Sequence, residues 1–153
     1  MELKLPPLEN GVLSPEDLKF FYYNVGLENN DSLMSVVNWN DVEPFAKDKG
    51  IKVSELKCAD DNVGNGEIKL TTLSTKTEDF SEALLRHLRN AFSHYRIIRI
   101  GDNYNIRDYS GKILSMIGNV NAEALKEVVF HIIETKENFK NKSIKYDNYG
   151  TIG

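Results

Sequence analysis

Features that would assign this chain at a glance are scarce. Among 153 residues there is one cysteine, Cys58, which excludes an intramolecular disulfide and a Cys-rich zinc cage and points to a reducing compartment. No stretch approaches the roughly 18 apolar residues of a membrane-spanning helix. The start, Met1-Glu2-Leu3-Lys4-Leu5-Pro6, has no apolar signal segment, so a cytoplasmic protein without membrane contact is expected. Positive charge is not in excess: 19 Lys and Arg stand against 23 Asp and Glu, a net charge of -4. That excludes a protein that coats nucleic acid through a strongly basic surface and leaves room for a small basic site. No internal repeat is present. What remains is ordinary globular usage, 41% hydrophobic and 27% charged, and one domain over 1–153 is expected.

Local signals place the elements. Ser14-Pro15-Glu16-Asp17 reads as a helix start, with a capping Ser, Pro in the first turn and acids at the positive end of the dipole. The helix is expected over about 15 to 27, with Phe20, Phe21, Tyr22, Tyr23 and Val25 making it aromatic or apolar almost all round. Between Asp31 and Gly50 two short helices are expected, separated at Pro44. Asp60 to Gly66 is a loop by composition, followed by a brief alternation at Ile68, Leu70 and Thr72. The loop lacks the spacing and closing Glu of a calcium site, so neither metal nor cofactor is expected.

A long helix capped by Thr75 or Thr77 and ending near His94 or Tyr95 carries the clearest helical period. Phe80, Leu84, Leu85, Leu88, Ala91 and Phe92 share one face, and Arg86, His87, Arg89, Asn90, Ser93 and His94 the other. Three β-prone runs follow, at 96–100, 104–109 and 112–117, divided by Gly101-Asp102-Asn103 and Ser110-Gly111. A last helix begins near Asn121 with Leu125, Val128, Val129, Ile132 and Ile133 on one stripe and His131 on the solvated side, and the tail from about 141 reads as loose.

Charge is unevenly placed. All five arginines lie between Arg86 and Arg107, and the segment Ala83 to Gly101 holds four of them and no acid. Guanidinium forks suit phosphate, and His87 and His94 nearby add groups able to pass protons near neutrality. Arg86, Asn90 and His94 stand four residues apart in turn and can point into one space, with Arg89 about 140° round the helix from His94. Each arginine taken singly is better explained by a carboxylate partner, and it is the clustering with His87 and His94 that points to an anion site.

The string LLRHLRNAFSHY, with Arg89, polar Asn90 and His94 after four intervening residues, resembles the signature of the HEPN superfamily, in particular its small stand-alone bacterial and mobile-element members. Tyr95 departs from the pattern, standing where many members place Gly. The resemblance implies a mainly α fold, an antiparallel helical bundle with a short β-hairpin or meander before the last helix. It implies a metal-independent endoribonuclease of toxin or defence-effector type, working as a homodimer with an antitoxin-type protein partner. In that chemistry a 2′-hydroxyl attacks the adjacent phosphate. Arg89, Asn90 and His94 are then catalytic, as charge stabiliser, orienting group and proton carrier, while Arg86, His87 and Arg96 bind substrate phosphate. Two alternatives stay open: a non-catalytic HEPN-like module binding nucleotide, RNA or a protein partner, and a structural interaction domain using Trp39 and the aromatic first helix as its contact surface.

Overall fold

A computed structural model describes residues 12–26, 37–57, 62–73 and 78–136. The expected loose tail, Cys58, Thr75, Thr77 and the stretch 31–36 lie outside them. Helix α1, Pro15–Phe21, starts where the sequence signals it. Ser14 Oγ accepts the Asp17 N–H at 3.0 Å and the Asp17 carboxylate accepts the Ser14 N–H at 3.2 Å, a reciprocal cap built with Asp in place of Glu. A wider π-helical turn at Tyr22–Gly26 continues it.

Helix α2, Trp39–Asp48, runs through Pro44, so the expected break there does not occur. Pro44 is exposed, while Trp39, Val42 and Ala46 are buried and hold both turns against the core. Helix α3, Phe80–Ser93, is capped by Asp79, whose carboxylate accepts the N–H groups of Ser81 at 2.9 Å and of Trp39 at 2.8 Å. One side chain thereby caps α3 and anchors the start of α2. A fourth helix, α4, spans 122–136.

The strands are β1, Lys52–Glu55; β2, Glu67–Leu70; β3, Ile97–Ile100; β4, Asn103–Ser110; and β5, Ile113–Asn121. They form one five-stranded sheet in the order β1-β2-β5-β4-β3, parallel between β1 and β2 and antiparallel elsewhere. This overturns the mainly α bundle that the HEPN resemblance implied: the fold is α/β. The three β-prone runs after α3 are not an insert beside a bundle. They are three strands of a sheet on which the helices pack, completed by β1 and β2 from earlier in the chain.

Alternation along the strands sorts side chains to the two faces. Ile68, Leu70, Ile97, Tyr104, Ile106, Met116 and Val120 join a single buried cluster with Phe20 and Phe21 of α1, Val42 of α2, Leu84 and Leu88 of α3, and Leu125, Val128 and Ile132 of α4. Trp39 is part of this core at 4% exposure, so it is not available as the contact surface expected of it. His131 is half-buried, its ring stacked on Phe45 at 4.2 Å. On the opposite side of the sheet, among the described residues, a small cluster of Leu56, Leu114 and Ile117 with Val63 against it covers one end.

A buried carboxylate ties the layers together. Asp17 is fully buried and, besides the Ser14 N–H, accepts the Arg99 guanidinium from β3 at 3.1 Å, the Lys126 ammonium from α4 at 3.0 Å and the Tyr104 hydroxyl from β4. Burial alone pushes its pKa up. The hydrogen bonds from Tyr104, Lys126, Ser14 and Arg99 outweigh that and bring it down to about 2. The Tyr104 phenol is pushed well above its ordinary value, by burial first and by the neighbouring carboxylate second.

A carboxyl with a depressed folded-state pKa adds stability above its unfolded value and loses it as pH falls through the folded one. Asp17 is therefore expected to contribute about 2 kcal/mol at neutral pH, lost between about pH 5 and pH 1. Asp17→Asn should cost about 3 kcal/mol or more at pH 7, because Arg99 and Lys126 are left facing a neutral amide. It should also flatten the acid limb of the stability profile, and denaturant titrations of both chains across this range check both effects.

Candidate anion-binding face

Helix α3 ends in a way that aims the following strand. The Tyr95 N–H bonds the Phe92 carbonyl at 3.2 Å and the Arg96 N–H bonds the Ala91 carbonyl at 2.8 Å, the paired bonds of a Schellman cap with His94 as C-cap. Tyr95 takes the left-handed conformation, φ 58°, at the position that glycine ordinarily fills. The departure noted in the sequence thus coincides with a backbone site that favours glycine, and Tyr95 sits there with its ring almost wholly in solvent. The chain leaves this cap directly into Arg96 and β3.

The polar face of α3 is not a solvent-facing active surface. His87 is completely buried. Its Nδ1 lies 2.7 Å from Asp108 Oδ2 of β4 and its Nε2 2.7 Å from the Thr71 carbonyl after β2. Both ring nitrogens are engaged, and Nε2 also lies 3.3 Å from Nη2 of Arg86. Arg86 turns to Glu78 with a two-pronged pair at 2.8 and 2.9 Å. The expectation that Arg86 and His87 bind substrate phosphate therefore fails: a carboxylate already occupies the first, and no solvent reaches the second.

Burial raises the Asp108 pKa, and the hydrogen bond and charge of His87, the Tyr109 N–H and the Asn90 side chain outweigh it and hold the carboxyl below its usual range. Glu78 is likewise pushed up by burial and brought lower by Arg86, the Leu73 N–H and the charge of His87. Asn90 serves this network. Arg89 is half-buried on α3, and His94 is exposed at its C-cap. Neither Arg89, Asn90 nor His94 lines either of the two cavities described below.

Arg96 is placed differently. The Arg107 N–H bonds the Arg96 carbonyl at 3.1 Å, so the two residues oppose each other across β3 and β4 with side chains on one face. That face is the side of the sheet away from the helices, where a concavity of about 560 Å³ opens. Arg96 and Arg107, the amides of Asn62, Asn105 and Asn119, and Tyr109 line it over a floor that includes Ile98, Ile100 and Ile117, and no carboxylate is among the described residues that line it. The Arg96 guanidinium lies over the Tyr109 ring at 4.5 Å. Arg107 belonged to the arginine cluster seen in the sequence but was not singled out. The strand period could have found it, because Asn105, Arg107 and Tyr109 alternate with buried Tyr104, Ile106 and Asp108.

The pleat couples the two sides. Asp108 is anchored inward to His87, and the register of β4 against β5 shifts between Asp108 and Tyr109, so the buried pair fixes how Arg107 and Tyr109 leave the other face. Compared with family models, curated proteins and solved structures, the chain matches none. No helix among the described residues is long and apolar enough to cross a membrane.

Two stability measurements check this description. His87→Ala should cost about 3 to 5 kcal/mol, since it strands a buried Asp108 carboxylate. A cycle with Asp108→Asn should show coupling of about 1 to 3 kcal/mol, whereas a solvent-facing His87 would show a loss below about 1 kcal/mol. Tyr95→Gly should raise stability by about 1 kcal/mol by removing the left-handed strain. An unchanged or lower denaturation midpoint would contradict that backbone assignment.

Proposed function

We propose that this protein is a non-catalytic binding module for a nucleotide or a short single-stranded RNA segment, held on the open face of the sheet, and that it works as a homodimer. The observation carrying this reading is the Arg96 and Arg107 pair: like charges on directly opposed residues, in a concavity with no acid among its described lining residues, on a protein of net charge -4. Opposed like charges destabilise a sheet, and an anion between them reverses the sign. The two guanidinium groups take phosphate. The isoleucine floor accepts a flat base or sugar, and the Asn105 amide offers a donor and an acceptor for a base edge. The volume fits a mononucleotide-sized ligand.

Of the two nucleic-acid readings of the sequence, binding is favoured over cleavage. Asn90 is committed to Asp108, and Arg89, Asn90 and His94 line neither cavity.

Fluorescence polarisation with a labelled eight-nucleotide RNA and competition by mononucleotides tests the proposal. Arg107→Ala is expected to weaken binding at least about tenfold and to reduce the salt slope by about 1, with Arg107→Lys recovering part of the loss. Wild-type affinity no greater than that of an Arg96→Ala/Arg107→Ala double variant overturns it. RNA cleavage abolished by His94→Ala would restore the nuclease reading.

A further inference from the structure

The two outer strands of the sheet are guarded very differently. Strand β1 is four residues long with Lys52 and Glu55 at its ends, an edge that discourages pairing. Strand β3 is Ile97-Ile98-Arg99-Ile100, with no Lys, Pro or bulge, and the Arg99 side chain is drawn inward to Asp17. The bond between Arg107 and Arg96 fixes which backbone groups are free. In an antiparallel ladder bonded residues alternate, so 96, 98 and 100 bond to β4, and Ile97 and Arg99 turn their N–H and C=O groups outward. Among the described residues nothing pairs with that outward row.

Beside this edge runs an apolar groove of about 570 Å³, lined by Leu18 of α1, Tyr22 of the π-helical turn, Tyr95, and Ile97 and Ile98 of β3 among others. Leu18, Tyr22 and Ile98 are each about half exposed, an unusual concentration of apolar surface beside open backbone.

We infer that the β3 edge pairs antiparallel with β3 of a second copy, on a two-fold axis at Ile98, joining two five-stranded sheets into one. The inference rests on the homodimer reading and not on the identity of the ligand. Three features commit the edge to its own copy. With Ile98 on the axis, Ile97 of each protomer bonds Arg99 of the other, which satisfies the outward groups of both strands. Ile98 then meets Ile98 of the partner subunit on the open face, apolar against apolar. The strand is entered through Arg96 and left through Asp102, so antiparallel self-pairing brings Arg96 alongside the partner's Asp102 end, opposite charges together. A parallel arrangement would set like against like. The grooves beside α1 are covered at the same time. The two open faces become continuous, so each ligand concavity is extended by the Arg96 end of the partner strand.

Sedimentation velocity over a micromolar concentration series should show twice the 17.4 kDa monomer mass. Ile98→Lys places two like charges on the axis and should raise the dimer dissociation constant roughly 100-fold or more. The register is checked by mild oxidation in a Cys58→Ser background. Residues facing each other on the axis, without mutual backbone bonds, have Cα atoms about 4.5 Å apart, within disulfide reach. Ile98→Cys should therefore cross-link as a dimer, and Ile113→Cys, exposed at the start of β5, should not.

A monomer at every concentration overturns the inference and leaves the edge to a strand from another protein. A dimer indifferent to Ile98→Lys, or one that cross-links through Ile113→Cys instead, also overturns it. A monomer that still binds the labelled RNA sinks the dimer and spares the ligand reading. A dimer that binds no nucleotide does the reverse.

Discussion

The fold hangs on one buried anion. Asp17 is an N-terminal helix residue whose short side chain first closes its own cap and then collects a cation from β3, a cation from α4 and a phenol from β4. A carboxylate removed from water is costly unless its oxygens are filled, so these four elements must arrive in one arrangement to fill them. The apolar cluster supplies most of the driving force. Asp17 restricts which packing of that cluster is tolerated, because displacing α1 relative to the sheet would strand the carboxylate, Arg99 and Lys126 together.

The second buried pair, His87 with Asp108, acts through the strand rather than through the core. A strand cannot turn one residue without moving its neighbours to the other side. Anchoring Asp108 inward therefore sets Arg107 and Tyr109 outward, and the ring of Tyr109 in turn carries Arg96. A histidine that reads as a proton carrier in the sequence becomes a support for the geometry of a surface it never touches.

The start of α1, the periodic body of α3 and the strand meander were legible because their causes are local: a capping Ser before Pro15, a period of 3.6 over 80–93, and glycines at the two tight turns, Gly101 and Gly111, both at positive φ; the cap of α3 was not, being Asp79 and not Thr75 or Thr77. The class of the fold was not, because it depends on distant pairing. Lys52–Glu55 and Glu67–Leu70 are four residues each, too short for a two-residue period to stand out. β2 is held as a strand by β5, some fifty residues later in the chain, and β1 in turn by β2. The arginine cluster was visible as a sum and invisible in its division. Helical spacing set Arg86, Asn90 and His94 on one face, but which face meets the sheet is decided by Glu78, Thr71 and Asp108, residues 8 to 21 positions away from the ones they bind.

The way the arginines divide is itself an argument about the open face. Arg86 and Arg99, both largely buried, are each matched to a buried carboxylate, as desolvated charge requires. Arg96 and Arg107 are exposed and opposed, with an aromatic ring beside one of them and no acid among the described residues that line their cavity. A chain with 23 acidic residues has ample means to neutralise a cation pair wherever stability is the only requirement. Leaving this pair together costs a few tenths of a kcal/mol to about 1 kcal/mol in a solvated sheet. The fold tolerates that cost at a concavity of the sheet, with amides and an apolar floor around it, and a bound phosphate would turn the same repulsion into attraction.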